Sequence, residues 1–399
     1  MLLSKFTDYI NCNLNDKKQV LALFIDFSRA FDTLDHQKLI KSLNNTGIQG
    51  YPLEWCSNYL KERYLSVKIQ NWYSKDMKVT EGTAQGSVLG PVHFLAYVND
   101  ISRTLANCTT FQFADDTCLL VADSNINEPM EKLQIDFDAL CRWCHDAGLV
   151  LNAQKTKLVH ISSAHKRDIL QKKIISRCHS CLHNQQLSMT YPNDCQPIEV
   201  VDNHTYLGLV IDRNLNWQPH INRICEKLRA FLANIVIIKN RISFYTRLLI
   251  YNAFITSVLS YGLSNYGRTY RTYLNSIRRL QIRIIKNIVP PKIKMDCANN
   301  DNLLFKICKT LPVHDLVNFN LLKEQFFNLD IQELKEHKIA TRQVTNKKLN
   351  IPKIKNIYGK RTSAYLIPAL VNDLDLELRN NLTPTNIKYI LKMHFLNKL

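Results

Sequence analysis

The stretch FQFADDTCLL, residues 111–120, places two adjacent carboxylates, Asp115 and Asp116, inside a run that is otherwise largely apolar. Its aromatic and aliphatic flanks predict two short β-strands joined by a tight turn. Burying a carboxylate without a partner is costly, and two like charges disfavour each other's ionisation. Two interpretations remain open from this stretch alone: a solvated Asp-Asp turn, or a site where hard oxygen ligands bind a divalent metal ion.

A second carboxylate follows an apolar run in LALFIDFSRAFDTLDH, residues 21–36, where Asp26 comes directly after a predicted buried strand. If this strand pairs with the Asp-Asp hairpin, we expect Asp26 and Asp115 to face each other. Two metal ions held ~3.5–4 Å apart by such carboxylates can activate an attacking hydroxyl and stabilise a leaving phosphate oxygen. Nucleotidyl transfer requires this chemistry.

Glycine is scarce in the chain, yet three of its ten glycines fall in EGTAQGSVLGP, residues 81–91. Glycine adopts backbone conformations that other residues avoid, and it lets a ligand approach the backbone closely. The segment is therefore a candidate binding loop. An ordinary loop before a helix remains the alternative.

The net charge of +18 is concentrated in one block. Residues 221–300 contain 14 Lys and Arg but only two acidic residues, Glu226 and Asp296. Such a block predicts a polyanionic partner, most simply nucleic acid, with a solvated helix face as the alternative.

Composition also bounds the cellular context. The 12 cysteines are scattered through a long chain, which indicates reduced thiols rather than a disulfide framework. The first residues lack the apolar core of a signal peptide, and the longest nearly apolar stretch is too short and polar to span a bilayer. We therefore expect an intracellular protein, nuclear or cytoplasmic, with no membrane partner.

Residues 1–218 show short strand patterns interspersed with helix patterns. Within them, residues 163–200 are irregular and contain Cys, His and Pro, which indicates an insertion. Residues 219–291 are helical and basic, and VPP ends this region. Residues 292–399 are again mostly helical, and their sequence indicates no role.

Five segments, taken in order, resemble the palm of reverse transcriptases, and specifically those of non-LTR (LINE-type) retrotransposons. They are LALFIDFSRAFDTLDHQKL, EGTAQGSVLGPVHFLAYVND, FQFADDTCLL, LNAQKTK and YLGLVID. The resemblance covers residues 5–217 closely and extends more loosely through LIYNAFITSVLSYGLSNYG, which is similar to the family's thumb.

The resemblance implies a right-hand polymerase with an α+β fold. Its palm, an antiparallel sheet with packed helices and partial fingers, would occupy 1–218. A helical thumb would occupy 219–291, and a helical C-terminal region would follow. The implied activity is RNA-directed DNA polymerase, in which a DNA primer is extended on an RNA template with deoxynucleoside triphosphates.

The resemblance also assigns the catalytic centre. Asp26 and Asp115 would ligate two Mg²⁺ ions, or Mn²⁺ in their place. Asp116 would be an auxiliary ligand, and the backbone carbonyl of Phe27 a further one. Phe31 occupies the position of the family's steric gate, where a bulky ring excludes a ribose 2′-OH.

Further residues carry implied binding roles. The incoming nucleotide and template would contact Gln85, Gly86 and Ser87, and Lys155 would approach the triphosphate. Tyr206, Leu207 and Gly208 would support the primer strand together with Trp217. In the thumb, the basic residues expected to bind duplex backbone are Arg271, Arg278, Arg279, Arg283 and Lys286.

A cluster in the insertion, CHSCLH followed by Cys195, offers a C-x₂-C pair and further ligands. Cys178, Cys181, His183 and Cys195 could hold Zn²⁺. Because the second half of the pattern has no clear pair, we expect free thiols in an inserted loop rather than a zinc site.

The chain also departs from the family. Only about twenty residues precede the first palm strand, fewer than the family's fingers motifs occupy, so we expect truncation at the N-terminus. Tyr266 stands where the family often has Trp. An active polymerase is the main hypothesis. A catalytically silent, nucleic-acid-binding remnant or domesticated fragment is the alternative.

Two classes of hydrolytic enzyme fit this sequence poorly. A phosphohydrolase with an Asp nucleophile needs a second Asp two residues after the first, and that position holds Ser28. Enzymes of the Ser-His-Asp type commonly carry a G-x-S-x-G turn, which the sequence lacks.

Overall fold

The computed structural model describes residues 2–84, 86–163, 170–183, 195–297, 300–326 and 348–399. The chain divides into two compact units. We call Lys18–Tyr206 the central unit, and Met1–Lys17 with Leu207–Leu399 the flanking unit.

The central unit contains most of the strands. Its described strands are β1 Gln19–Ile25, β2 Phe27–Ser28, β3 Tyr64–Leu65, β4 Lys68–Ile69, β5 Trp72–Tyr73, β6 Met77–Lys78, β7 Thr109–Phe113, β8 Asp116–Asp123, β9 Val150–Leu151, β10 Lys157–Ile161, β11 Ile175–Ser176, β12 Gln196–Pro197, β13 Glu199–Val200 and β14 Asn203–Tyr206. Its helices are α2 His36–Asn45, α3 Tyr51–Leu60, α4 Leu89–Val98, a 3₁₀ turn Ile101–Thr104, α5 Asn127–Ala147 and α6 His179–His183.

The flanking unit is mostly helical. Its described elements are α1 Leu2–Asn15, β15 Leu209–Asp212, α7 Gln218–Ile238, α8 Phe244–Ile250, a π-helical turn Tyr251–Thr256, α9 Ser257–Ser260, α10 Leu263–Tyr266, α11 Arg271–Ile288, α12 Pro291–Asp296, α13 Asp301–Ile307, α14 Val313–Gln325, α15 Ile357–Lys360, α16 Ser363–Asn372, α17 Leu376–Asn380 and α18 Ile387–Lys398. Helix α11 stops at Ile288, and Pro291 opens the next helix, as the helix-breaking VPP segment predicts.

The main sheet of the described residues has the strand order β13-β10-β1-β8-β7. Strand β1 is central and antiparallel to both β8 and β10. Every residue of β1 is buried, as its continuous apolar run predicts. The α+β class is confirmed, but the sheet is mixed, because β13 runs parallel to β10 at one edge. The wholly antiparallel palm sheet that we expected therefore needs this correction.

Helices cover the face of the sheet that Leu21 and Leu23 line. Helix α5 presents Leu133, Phe137 and Leu140 to this core, at the three- and four-residue spacing of one helical face. The helix stops at Gly148, which has the left-handed conformation (φ 75°) common at helix ends.

Helix α5 also fixes the chain that leads into the Asp-Asp hairpin. The buried carboxylate of Asp136 accepts hydrogen bonds from the backbone amides of Ala106, Asn107 and Cys108 at 3.3, 2.8 and 2.7 Å. It accepts a further bond of 2.8 Å from the side chain of Asn107. The start of β7 is thereby tied to the core helix.

In the flanking unit, α7 and α11 pack against each other. Ile277, Leu280, Ile284 and Ile288 of α11 are buried, so this helix is amphipathic. Among the described residues, no helix is both long enough and apolar enough to cross a membrane.

Candidate active site

The sheet register brings two of the predicted carboxylates side by side. The outermost pair of the β1–β8 ladder is Ile25 with Thr117. Continuing this antiparallel register by one residue places Asp26 opposite Asp116, so the two side chains leave the same end of the sheet on one face. Asp115 lies one residue further along, at the hairpin tip. We expected Asp115 to face Asp26, and the register gives that position to Asp116.

The predicted hairpin is confirmed, with Phe113 paired to Asp116. Ala114 and Asp115 therefore form a two-residue loop, and Ala114 has a positive φ of 54°. Two-residue hairpin loops need a positive φ because of the strand twist, and alanine adopts it only at a cost. The tight loop projects Asp115 into solvent at the same end of the sheet as Asp26 and Asp116.

The electrostatics show that the three carboxylates lie close together. The pKa of Asp116 is raised, first by partial removal of its carboxyl from water and then by the charges of Asp115 and Asp26. Among the described residues, Oδ2 of Asp26 is buried without a hydrogen-bond donor, and the ammonium of Lys155 lies 3.9 Å from it. Clustered, underbonded carboxylate oxygens are the ligand set that hard divalent cations prefer. These residues therefore fit a divalent metal ion.

The turn that carries Lys155 is bonded to the backbone of Asp26. The amide of Asn152 donates to the carbonyl of Asp26 at 2.9 Å, and the amide of Asp26 donates to the hydroxyl of Thr156 at 3.3 Å. The side chain of Asn152 accepts from the amide of Lys155 at 3.1 Å. Asn152 and Thr156 are positioning residues that the sequence interpretation missed. The motif LNAQKTK contains both residues, but only these contacts with Asp26 assign them a positioning role.

Aromatic side chains lie beside the same carboxylates. His204 stacks on Phe24 with ring centroids 4.7 Å apart, and Tyr206 donates from its hydroxyl to the carbonyl of Phe111 at 3.0 Å. A small cavity is lined by these rings together with Asp26, Asp116 and Lys155. Burial lowers the pKa of His204, and the charge of Lys157 lowers it further. His204 was also missed, and no pattern in its segment marks it.

Phe27 and Phe31 follow Asp26 along the chain. Phe27 is buried in β2, paired with Leu151. Phe31 packs against Phe94 with ring centroids 4.6 Å apart. The ring of Phe31 is therefore held by the core rather than left free to turn.

The glycine-rich loop is bonded to the turn that carries Phe31. The amide of Gly82 donates to the carbonyl of Leu34 at 2.8 Å, and that of Thr83 donates to the carbonyl of Phe31 at 3.0 Å. Gly86 has a φ of 79° with open space around it. The hydroxyl of Ser87 accepts from Tyr59 at 2.7 Å. Gln85 lies outside the described residues.

Gly82 and Gly86 make a matched pair for testing this packing. A Cβ on Gly82 would lie 2.7 Å from the carbonyl oxygen of Asp32, whereas one on Gly86 would meet nothing within 4 Å. Both have a positive φ, which costs an alanine ~1–2 kcal/mol. We expect Gly82→Ala to lower the free energy of unfolding by a further ~1–3 kcal/mol relative to Gly86→Ala, because of the backbone clash. Urea denaturation measures the free energy of unfolding of both variants. Equal losses of stability would show that the loop shifts at no cost to accommodate the Cβ on Gly82.

The predicted thumb residues lie on α11 in the flanking unit. Arg278 donates to Asn302 at 2.8 Å, and Lys286 forms an ion pair with Asp301 at 2.9 Å. Arg279 and Arg283 are exposed, as is Arg271 at the start of the helix. Arg278 and Lys286 therefore bond within the unit, whereas Arg271, Arg279 and Arg283 are the exposed basic residues among the predicted five.

The last of the predicted motifs reaches the flanking unit. Leu207 has a φ of 45°, and its carbonyl accepts from the hydroxyl of Tyr261 at 2.8 Å. A Cβ on Gly208 would lie 3.1 Å from the ring of Tyr261. Trp217 is fully buried, so its ring packs within the unit instead of being available for stacking.

Comparison with known proteins agrees with this site. The family described as "Reverse transcriptase (RNA-dependent DNA polymerase)" matches residues 3–211. The RNA-directed DNA polymerase from mobile element jockey of Drosophila melanogaster is 25% identical over 286 residues, which cover 69% of this chain and 29% of that protein. The probable RNA-directed DNA polymerase from transposon BS of the same species is 25% identical over 297 residues, covering 71% and 30% respectively.

The chain thus spans less than a third of the length of these relatives. Telomerase from Candida albicans, solved with a fragment of telomeric RNA, covers 84% of this chain at 11% identity. Its TM-score of 0.34 is too low for any structural argument. The predicted resemblance to non-LTR retrotransposon enzymes is confirmed by the relatives. Since the family match covers more than half of the residues, the chain belongs to the reverse transcriptase (RNA-dependent DNA polymerase) family.

Proposed function

We propose that this chain is an RNA-directed DNA polymerase of a non-LTR retrotransposon, which extends a DNA primer on an RNA template by two-metal nucleotidyl transfer. The observation that carries the proposal is the convergence of Asp26, Asp115 and Asp116 at one end of the sheet, with Lys155 beside them. Three separate sequence segments would have little reason to assemble this set for packing alone. Single-nucleotide extension of a primer on an RNA template tests the proposal.

Divalent-metal dependence is general in this family. We propose Mg²⁺ as the ion, with Mn²⁺ as a substitute, held by Asp26, Asp115, Asp116 and the carbonyl of Phe27. Two such ions, when bound, lower the pKa of the attacking 3′-hydroxyl and stabilise the leaving oxygen. The raised pKa of Asp116 supports this assignment, because crowded carboxylates are stabilised by a cation.

Lys155 would act on the leaving group. Lys155 lies on a turn in which Asn152 accepts a hydrogen bond from its amide, and its Nζ is 3.9 Å from Oδ2 of Asp26. From there it can stabilise the negative charge of the triphosphate and donate a proton to the departing pyrophosphate. Gln85, Gly86 and Ser87 would contact the nucleotide and template, and the open space at Gly86 suits close approach of a base pair.

Phe31 would exclude ribonucleotides. We expect Phe31→Ala to raise the use of ribonucleotides relative to deoxyribonucleotides by about 10- to 100-fold. The reason is that forcing a group into filled space costs ~1–3 kcal/mol, and each ~1.4 kcal/mol is a factor of ten in rate. The readout is the ratio of incorporation rates for the two sugars on one template.

Phe31→Tyr is the control for this prediction, because it keeps the bulk of the ring and should keep the discrimination. Loss of packing against Phe94 would slow the incorporation of both kinds of nucleotide alike. The ratio of the two rates therefore reports only the exclusion of the ribose 2′-OH. An unchanged ratio in the alanine variant would remove Phe31 from this role.

The basic helices would bind the template–primer duplex. We propose that residues 1–218 act as the palm, with an insertion at 163–200, and residues 219–291 as the thumb, with 292–399 of unassigned role. Tyr206, Leu207 and Gly208 would support the primer end. Arg271, Arg278, Arg279, Arg283 and Lys286 would contact phosphates, and the exposed Arg271, Arg279 and Arg283 would contribute most.

Reversing the charge of Arg279 and Arg283 to Glu should weaken duplex binding and reduce its salt dependence. Each lost phosphate contact removes ~0.7–0.9 from the slope of log K against log salt. Filter binding of an RNA–DNA duplex over a salt series measures both quantities. The double variant Lys348→Glu/Lys353→Glu changes the net charge equally at exposed residues outside the block. Equal effects of the two double variants would mean that the block acts only through net charge.

A further inference from the structure

Three cysteines of the central unit have their sulfur atoms clustered. The Sγ atoms of Cys178, Cys181 and Cys195 lie within 4.8 Å of one another. Those of Cys178 and Cys195 are 3.7 Å apart. All three side chains are partly accessible to solvent, so an ion can reach them.

Local structure explains why residues so far apart in sequence meet. Strands β11 and β12 pair with Ser176 opposite Gln196, which brings Cys178 and Cys195 to the same end of the ribbon. Cys178 directly precedes α6, and its carbonyl accepts from the amide of Leu182 at 3.1 Å. Because residues three apart share a helical face, Cys181 lies on the side of α6 that Cys178 and Cys195 occupy.

The spacing of the sulfur atoms fits a tetrahedral metal site. Zinc–sulfur bonds of ~2.3 Å in a tetrahedron put neighbouring sulfur atoms ~3.8 Å apart. The observed 3.7 Å between Cys178 and Cys195 matches this edge, whereas a disulfide would require ~2.05 Å. The amide of Cys178 also donates to Sγ of Cys195 at 3.4 Å, which stabilises negative charge on that sulfur.

The cluster is anchored on the core helix α5. The side-chain amide of Gln134 bonds both the amide and the carbonyl of Ile175, at 2.8 and 2.9 Å. Arg177 pairs with Asp138 at 3.1 Å. The base of the inserted segment is therefore held in place, so the sulfur atoms are positioned without a metal ion.

We propose that Cys178, Cys181 and Cys195 bind one structural Zn²⁺, which links α6 to the β11–β12 ribbon. The sequence favoured free thiols because Cys195 has no C-x₂-C partner. The β11–β12 pairing nevertheless brings Cys195 next to Cys178, so a second C-x₂-C pair is not needed to assemble the cluster. The side chain of His183, the fourth ligand considered from the sequence, lies outside the described residues. Among the described residues, three thiolates thus define the site.

The test uses the full chain, purified from zinc-supplemented cells and passed over a metal-chelating resin. Elemental analysis gives zinc per chain for the wild type and for Cys178→Ser, Cys181→Ser and Cys195→Ser. Cys12→Ser, at an exposed cysteine of α1, is the control. Replacement of zinc by Co²⁺ gives a second readout, because thiolate ligands to tetrahedral Co²⁺ produce sulfur-to-metal charge-transfer absorption.

We expect about one zinc per chain in the wild type and the control, and its loss in each of the other three variants. We also expect the Co²⁺ form of the wild type to show thiolate charge transfer. If a serine variant fails to fold, the Co²⁺ spectrum of the wild type decides. A wild type that retains no zinc and gives no charge-transfer band would overturn the proposal. Zinc content unchanged in all three variants would do so as well.

Discussion

Replacing Asp26 with Asn should lower the rate of nucleotide incorporation by about 1000-fold while leaving the fold intact. Asp26 directly follows β1, and the β1–β8 register continued by one residue places it across from Asp116. A metal ion contributes several kcal/mol of charge stabilisation in such transition states, and each ~1.4 kcal/mol is a factor of ten. Asn keeps the shape of Asp but removes the charge that holds the cation. The readout is the single-turnover rate of one-nucleotide extension on an RNA template.

Asp123→Asn is the matched control for this variant. Asp123 lies at the opposite end of the same strand as Asp116, and its nearby cation is Lys132 at 3.6 Å. The control removes the same charge from the same sheet and should leave the rate within about twofold, since surface ion pairs contribute ~1 kcal/mol or less. A wild-type rate of nucleotide incorporation in Asp26→Asn would show that Asp26 is not a metal ligand.

The second large effect concerns stability. Asp136→Ala should lower the free energy of unfolding by ~1.5–3 kcal/mol, because it removes the charged acceptor of the backbone amides of Ala106, Asn107 and Cys108. Hydrogen bonds to a charged acceptor are stronger than neutral ones. Since this loop leads into β7, the variant should also loosen the Asp-Asp hairpin. Urea denaturation monitored by circular dichroism gives the free energy, and Asp146→Ala, at an exposed position on α5, is the control.

The same carboxylate gives a pH dependence with a defined sign. Burial raises the pKa of Asp136, but hydrogen bonds from Asn107, Cys108 and Ala106 outweigh it, so the pKa lies below its ordinary value. A pKa lowered on folding contributes stability above the unfolded pKa of ~3.9, and this contribution is lost as pH falls through the folded pKa. The wild type should therefore lose stability below about pH 4 more steeply than Asp136→Ala. Parallel curves for the two proteins would argue against the role of this carboxylate.

The parts of the fold that were predictable from sequence are those with strong local signals. The continuous apolar run before Asp26 predicted a buried strand, and the apolar flanks of Asp115 and Asp116 predicted the hairpin. The stop at Gly148 follows from the freedom of glycine in the left-handed region. Each of these features depends on neighbouring residues alone.

Features that depend on long-range register were not predictable. Neither flank of the Asp-Asp pair says which carboxylate will stand opposite Asp26, because a one-residue slip in pairing exchanges them. The parallel edge strand β13 depends on how the chain crosses after Ile161. The meeting of Cys178 with Cys195 depends on the β11–β12 pairing, which short strands do not signal.

Some residues of the candidate site were predictable from sequence motifs, and others were not. Asp26, Asp115, Asp116 and Lys155 were marked by motifs, whereas Asn152, Thr156 and His204 became visible only through their contacts with Asp26 and Phe24. The number of charges in the basic block does not predict which of its residues bond within the unit. Arg278 bonds to Asn302 and Lys286 pairs with Asp301, and both partners lie on another helix.

The most direct measurement of the central claim is template-directed incorporation by the purified chain. Four RNA templates would differ only in the first base beyond the annealed DNA primer, with Mg²⁺ and each deoxynucleoside triphosphate supplied singly. We expect the wild type to add the nucleotide complementary to each template base, and Asp26→Asn to add none at the same enzyme concentration. A folded chain that binds the duplex yet adds no nucleotide with either Mg²⁺ or Mn²⁺, or adds nucleotides irrespective of the template base, would contradict the account.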